Sequence, residues 1–261
     1  MTKRGFTLVE LSIVLVIIGL LIGGILVAQS MIETAKIQSF IRQIQQIDMA
    51  VSNFRVKYNY LPGDDPKHSA AGDGDGRIED SAVNAAGSSP SYYFNYEISN
   101  FWVHLQQDGF LRNDYPTFSA DASSGIDVGT HIPYAQGTSS KNAGIVIYYS
   151  EYFTHPRNEY FICDYTPTTN TTWSSGTYWD AVFTPVQALS IDTKMDDGLS
   201  GRASSPSIYA YDGDVWATYT SGVAGECYVS AASDVYLTNN NLECCIMIRM
   251  LSQSEIGRAH V

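Results

Sequence analysis

The chain has 261 residues, 44% of them hydrophobic, enough for a packed core and too many for a disordered coil. Fifteen Lys and Arg oppose 27 Asp and Glu, giving a formal charge of −12, and no basic block follows Lys3-Arg4, so the long-range field repels nucleic acid. Eighteen tyrosines and only 16% charged residues point to a loop-rich exported domain rather than a cytosolic enzyme.

The first element is apolar. From Leu11 to Ala28 the only polar side chain is Ser12 and none is charged, which is close to the length a helix needs to cross a bilayer core. Lys3 and Arg4 precede the run and no comparable cluster follows it closely, so the N-terminus is expected in the cytoplasm and the remainder outside. An ordinary cleaved secretory signal is the simplest alternative. It leaves Gly5 at the edge of the run and Glu10 inside it unexplained, and the small-residue site near Val27-Ala28 is a poor cleavage match. No Cys follows the run, which excludes a lipoprotein signal. A carboxylate at mid-bilayer costs roughly 2.5 to 3.5 kcal/mol, so Glu10 is expected to have a function and a positive partner at its own depth.

Lys3-Arg4-Gly5-Phe6-Thr7-Leu8-Val9-Glu10 resembles the prepilin motif of type IV pilins and type II secretion pseudopilins. The resemblance implies a leader of residues 1–5, cut between Gly5 and Phe6 by prepilin peptidase, with N-methylation of the new Phe6 amine and retention of the apolar run. It also implies that Glu10 pairs with the Phe6 amine of a neighbouring subunit during assembly. Partners would be prepilin peptidase, other pilin or pseudopilin subunits and an assembly platform in the inner membrane. The protein would be a single-pass inner-membrane protein before joining a periplasmic or cell-surface filament. Gly19, Gly23 and Gly24 lie in the same run, and each costs a helix about 1 kcal/mol relative to Ala. They either reflect the tolerance of membrane helices for glycine or allow the helix to bend in a filament.

No proline occurs between the run and Pro62, and Ile37, Phe40, Ile44, Ile47, Val51, Phe54, Tyr58 and Leu61 recur at alternating steps of three and four. The pattern predicts one helix from Phe6 to about Tyr60, with a membrane half over 6–28 and an amphipathic half over 29–61. Packing of its stripe onto the protein's own sheet is favoured over a coiled coil, because the stripe is short for one. Leu61-Pro62-Gly63-Asp64 ends the helix.

Residues 62–99 form an acidic, Gly-rich connection centred on Gly72-Asp73-Gly74-Asp75-Gly76-Arg77-Ile78-Glu79. Closely spaced carboxylates with intervening glycines suit calcium. Ala71 and Ala82 occupy the end positions of an EF-hand template, which argues against that motif. A looser site of Asp73, Asp75 and Glu79, with Asp64 or Asp65 nearby, competes with a plain solvated turn.

The exported domain is expected over residues 100–254. Asn100 to Gly109 reads as a short helix with Asn100 as its N-cap, and His104 as a packed helix residue. Phe101-Trp102-Val103-His104-Leu105, with Leu61-Pro62-Gly63-Asp64 and the Gly-Asp-Gly loop, resembles a large minor-pilin-like subgroup of the same family. Thr184-Pro185 supplies a cap and first-turn proline for another helix. Strands are predicted at Ala143–Tyr149, Glu159–Cys163, Ser207–Tyr211, Val215–Tyr219, Glu226–Ser230 and Leu242–Met250. Cys163, Cys227, Cys244 and Cys245 show no zinc spacing. Adjacent Cys244 and Cys245 are expected to reach back separately to Cys163 and Cys227, in either arrangement. The last six residues, Ile256 to Val261, can be encoded by ATCGGAAGAGCACACGTC, the interior of a sequencing adapter, so residues 255–261 are expected to be non-native.

The expected fold is therefore α+β: a pilin fold, with one long N-terminal helix, hydrophobic in its first half, on an antiparallel sheet with large loop insertions. The expected function is structural, as a minor pilin or pseudopilin, without enzymatic activity. The rival is an exported enzyme or ligand-binding domain on an uncleaved membrane anchor, for which the sequence offers no catalytic constellation.

Overall fold

The computed structural model describes residues 7–68, 72–79, 94, 96–111, 126–150, 157–165, 179–196, 214–219, 227, 241 and 244–250. Helix α1 runs unbroken from Leu8 to Tyr58, 51 residues or about 76 Å at the usual rise. Thr7 starts it with extended backbone, and Asn59 ends it in the left-handed conformation at φ 63°, its N–H donating to the Arg55 carbonyl. This matches the predicted helix to within two residues at each end.

Two solvents divide the helix. Leu8 to Ile32 leave their large apolar side chains exposed, and this end is long and apolar enough to cross a membrane. Burial begins at Ile37 and continues through Phe40, Ile44, Ile47, Val51 and Phe54. Those are the residues of the predicted stripe, and Leu61 completes it just beyond the helix. A fully buried aliphatic or aromatic side chain contributes about 1.5–3 kcal/mol, so this face alone supplies a substantial part of the core.

The stripe packs on an antiparallel sheet. Strands β1 (Ala143–Ser150) and β2 (Arg157–Tyr165) pair from Ala143 opposite Asp164 to Ser150 opposite Arg157. Strand β3 (Trp179–Asp180) pairs with the far end of β2. Strands β4 (Val215–Tyr219) and β5 (Cys244–Arg249) complete the order β1-β2-β5-β4. Tyr160 on β2 donates its hydroxyl to the Asp48 carboxylate at 3.0 Å, and Phe183 meets Phe40 edge-on at 5.3 Å, fixing α1 against the sheet. Gln43, nearly fully buried, donates to the Tyr134 carbonyl and accepts from the Gln136 N–H, both at 2.7 Å.

Four of the six predicted strands are present, while Ser207–Tyr211 and, apart from Cys227, Glu226–Ser230 lie outside the described residues. Helix α3 (Pro185–Met195) forms as expected, with Thr184 and Gln187 closing a reciprocal capping box. Helix α2 departs from expectation. It spans Tyr96–Gln107, so it starts four residues before Asn100 and shortens the connection predicted for 62–99. Asn100 is no cap: its side-chain amide donates back to the Tyr96 carbonyl from within the helix. The leader residues 1–5, Phe6 and residues 251–261 also lie outside the described residues.

Candidate functional site

Two places carry the chemistry. The first is the head of α1, where Thr7 and Glu10 form a capping box. The Thr7 N–H and hydroxyl donate to Glu10 Oε2 at 2.8 and 2.9 Å, and the Glu10 N–H donates to Thr7 Oγ1 at 3.3 Å. A helix start leaves backbone donors unpaired, and this pair satisfies two of them. Sequence reasoning singled out Glu10 and missed Thr7 as its partner, although Thr-x-x-Glu before an apolar run is the signature of such a cap. Glu10 is solvent-exposed, as are the apolar residues that follow it. The helix passes through Gly19, Gly23 and Gly24 without a break, and nothing lies within 4 Å of where a Cβ would stand at any of them.

The second place is where α1 hands over to the domain. Asp64, almost fully buried, accepts from the Gly74 N–H at 2.6 Å and the Gly76 N–H at 2.9 Å, one on each carboxylate oxygen. Glu97, in the first turn of α2, accepts from the Asp73 N–H at 3.1 Å and the Glu79 N–H at 2.9 Å. The acidic loop is thus wrapped around two buried carboxylates. Gly63, at φ 88°, permits the tight exit from α1, since a Cβ there would strike the Glu97 carbonyl. Asn158 of β2 holds the other side of the loop, accepting from the Ile78 N–H and donating to the Gly76 carbonyl.

Burial dominates the electrostatics. It pushes the Asp64 carboxyl up to about 6 against the pull of the Gly76 and Gly74 amides, with the charges of Asp75 and Asp73 adding to the rise. It pushes Glu97 up to about 8, again against two amides, with Asp64 and Asp73 adding. Asp64, Asp73 and Glu97 each offer a carboxylate oxygen within 4.8 Å of the others, and among the described residues these three form the group that could hold a hard cation.

Of the expected set of Asp73, Asp75 and Glu79, one member lies in this cluster. Asp75 and Glu79 turn to Arg77, at 3.3 and 3.6 Å, and only Asp73 joins the cluster. Asp65 is turned away too, toward His68 at 2.8 Å. Neither Glu97 nor its closeness to Asp64 carries a signal in the sequence, because the two are 33 positions apart. His104 is packed in the core as expected. Its Nδ1 accepts from the Gly63 N–H at 2.9 Å, and burial holds the ring's pKa down to about 4, followed by the effect of the His68 charge.

The cysteines form two bridges, Cys163 to Cys245 and Cys227 to Cys244, with Cα separations of 5.0 and 5.2 Å. Of the two arrangements left open by the sequence, the strand register selects this one. Cys163 and Cys245 stand one step beyond the Ile162–Ile246 pair, directly across β2 and β5. The adjacent Cys244 must then point to the opposite face of the sheet, toward Cys227.

A long apolar helix with a capped glutamate at its head, on a disulfide-bonded α+β domain, fits a pilin fold. The prokaryotic N-terminal methylation motif matches residues 1–26, so the chain carries the prepilin signal of type IV pilins and pseudopilins. That motif implies processing by prepilin peptidase and assembly with other pilins, and its apolar helix fits membrane anchoring. No curated protein and no solved structure matches the chain.

Proposed function

We propose that the protein is a minor pilin or a secretion pseudopilin, a structural subunit cut between Gly5 and Phe6, methylated on the Phe6 amine and built into a filament through α1. The observation that carries the proposal is the match of the methylation motif to residues 1–26, followed directly by a helix whose apolar end is left uncovered by the domain. Glu10 has the assembly role. Its Oε2 caps its own helix, while the amine released at Phe6 supplies the positive charge that a carboxylate at membrane depth requires. The 261-residue chain is large for a repeating major subunit, which favours a minor position in the filament. Calcium is a subordinate proposal, tied to Asp64, Asp73 and Glu97.

The test is to incubate the full chain in membranes with prepilin peptidase and read the new N-terminus by mass spectrometry. Loss of residues 1–5, blocked by Gly5→Ala, is expected, and Glu10→Ala should be cleaved normally yet recovered poorly in assembled fibres. An N-terminus unchanged by the peptidase would favour the uncleaved-anchor alternative and end the pilin proposal.

A further inference from the structure

Just past the apolar run of α1, helix α3 lies beside it, and the two enclose a groove of about 510 Å³. That volume is in the range of small-ligand pockets, about 300–1,000 Å³. Ser30, Glu33 and Thr34 line it from α1, and Thr184, Gln187 and Ser190 from α3. Ser30 and Glu33 stand two and five residues past Ala28, about 3 and 7.5 Å further along the helix. With Leu8–Ala28 in a bilayer, the groove falls within the headgroup layer, which is roughly 5–8 Å deep.

Its walls are rich in acceptors. The helical hydroxyls have committed their protons: Ser30 donates to the Val27 carbonyl at 2.9 Å, Thr34 to the Ser30 carbonyl at 3.0 Å and Ser190 to the Val186 carbonyl at 2.8 Å. Thr184 Oγ1 accepts from the Gln187 N–H at 3.2 Å. The Gln187 side chain is fixed at both ends, accepting from the Thr184 N–H at 3.0 Å and donating to Glu33 Oε2 at 2.7 Å. Lys36 approaches the other oxygen, Oε1, at 3.5 Å from the next turn. A carboxylate has about four acceptor sites, so Glu33 keeps capacity for a further donor. Lone pairs around one carboxylate call for a cation that carries its own N–H groups.

We propose that this groove seats the ammonium of a phosphatidylethanolamine headgroup and so holds the domain to the bilayer surface beside its own anchor, an inference that rests on the membrane anchoring of α1. A primary ammonium has three donors, which match the Glu33 carboxylate and the hydroxyl oxygens around it. The trimethylated ammonium of phosphatidylcholine has the same charge and no N–H to give. An anionic headgroup without an amine would bring its charge against Glu33. The groove therefore distinguishes lipids by the nitrogen, at the depth where that nitrogen lies.

The experiment uses the full chain in nanodiscs of equal amounts of phosphatidylethanolamine and phosphatidylcholine with identical acyl chains, and reads the retained lipid by native mass spectrometry. Phosphatidylethanolamine should be enriched about fivefold on the native chain, the most that an exposed ion pair supplies. Glu33 is exposed, so Glu33→Gln keeps the fold, and its enrichment should fall below about twofold. Asp75→Asn, in the acidic loop, should keep the native value. Equal retention of the two lipids by the native chain, or an enrichment that survives Glu33→Gln or is lost in Asp75→Asn, overturns the proposal. Limited proteolysis in the same nanodiscs separates it from the anchoring reading. Protection of residues 8–28 without enrichment ends the groove proposal alone, whereas an apolar half open to protease ends both.

Discussion

Removing the Cys163–Cys245 bridge should cost the protein more than removing Cys227–Cys244, although both join buried cysteines at one end of β5. The bridges span 82 and 17 residues. With the loop-closure relation for a cross-linked unfolded chain, the longer loop is worth about 4.5 kcal/mol and the shorter about 3 kcal/mol. The two loops overlap, because Cys244 and Cys245 are neighbours. With the short bridge intact, the path closed by the long one shortens to roughly 66 residues, which lowers its value by only about 0.2 kcal/mol. Lost sulfur packing is nearly the same in the two cases, since all four residues are fully buried, so the difference of about 1.5 kcal/mol reflects loop size. The assay is urea unfolding of Cys163→Ala/Cys245→Ala and Cys227→Ala/Cys244→Ala, each double variant leaving no free thiol from the bridge it removes. The first should fall by about 4 kcal/mol or more, a loss of roughly 8–16 °C or more in Tm for a domain of this size. Equal losses, or a larger loss for the short bridge, would refute the loop-size reasoning.

Acid should destabilise the protein through His104. Its pKa is held to about 4 when folded against about 6.5 in the unfolded chain, so its contribution is complete above pH 6.5 and is lost as pH falls through 4. The shift corresponds to roughly 3 kcal/mol. His104→Gln, which keeps an acceptor for the Gly63 N–H, should be flatter than the native protein between pH 6.5 and 4 in chemical unfolding; parallel profiles would show that His104 titrates elsewhere. Calorimetric titration with calcium checks the proposed ligand set: Asp64→Asn or Glu97→Gln should abolish the binding heat, and Asp75→Asn should leave it in place. The reverse pattern would restore the set expected from the sequence.

The elements legible in the sequence were those whose signal is local. The stripe from Ile37 to Leu61 repeats at helical spacing without a breaker, and Thr184-Pro185 states where α3 must begin. Runs rich in β-branched and aromatic residues mark β1, β2, β4 and β5 in the same way. Asn100 shows how a local signal misleads. A good cap residue ahead of a glycine stop still sits inside α2, because the helix has already begun at Tyr96 and buries Glu97 and Ile98 beside the loop leaving α1. What depends on tertiary contact stayed hidden. The Asp64–Glu97 pair is made by folding α2 back over the end of α1, and His68 meets Asp108 across 40 positions. The disulfide pairing needed the β2–β5 register, which no spacing reveals. At the N-terminus the opposite holds: the motif is read by an enzyme as sequence, so it is complete before any fold exists.

The length of α1 ahead of the domain constrains how the subunit stands on a membrane. Leu8 to Ala28 is about 32 Å of helix, which matches a hydrocarbon core of about 30 Å. Eight further residues, Gln29 to Lys36, add about 12 Å before Ile37 becomes the first buried residue of the helix. That spacer changes chemistry abruptly, with Gln29, Ser30, Glu33, Thr34 and Lys36 in place of the apolar run, and Glu33 and Lys36 pair across one turn at 3.5 Å. A headgroup layer takes up roughly 5–8 Å on each side of the core. The spacer is therefore long enough to clear it, so a bilayer around Leu8–Ala28 would leave the first packed turn of the domain just outside the lipid. The Gln187 side chain of α3 donates to Glu33 at 2.7 Å, so the domain also reaches back to touch the spacer on that side. The helix is continuous from the apolar run into the core, so its buried end is held to the sheet by the contacts of Phe40, Asp48 and Tyr160 with no break in α1 between them and the apolar half.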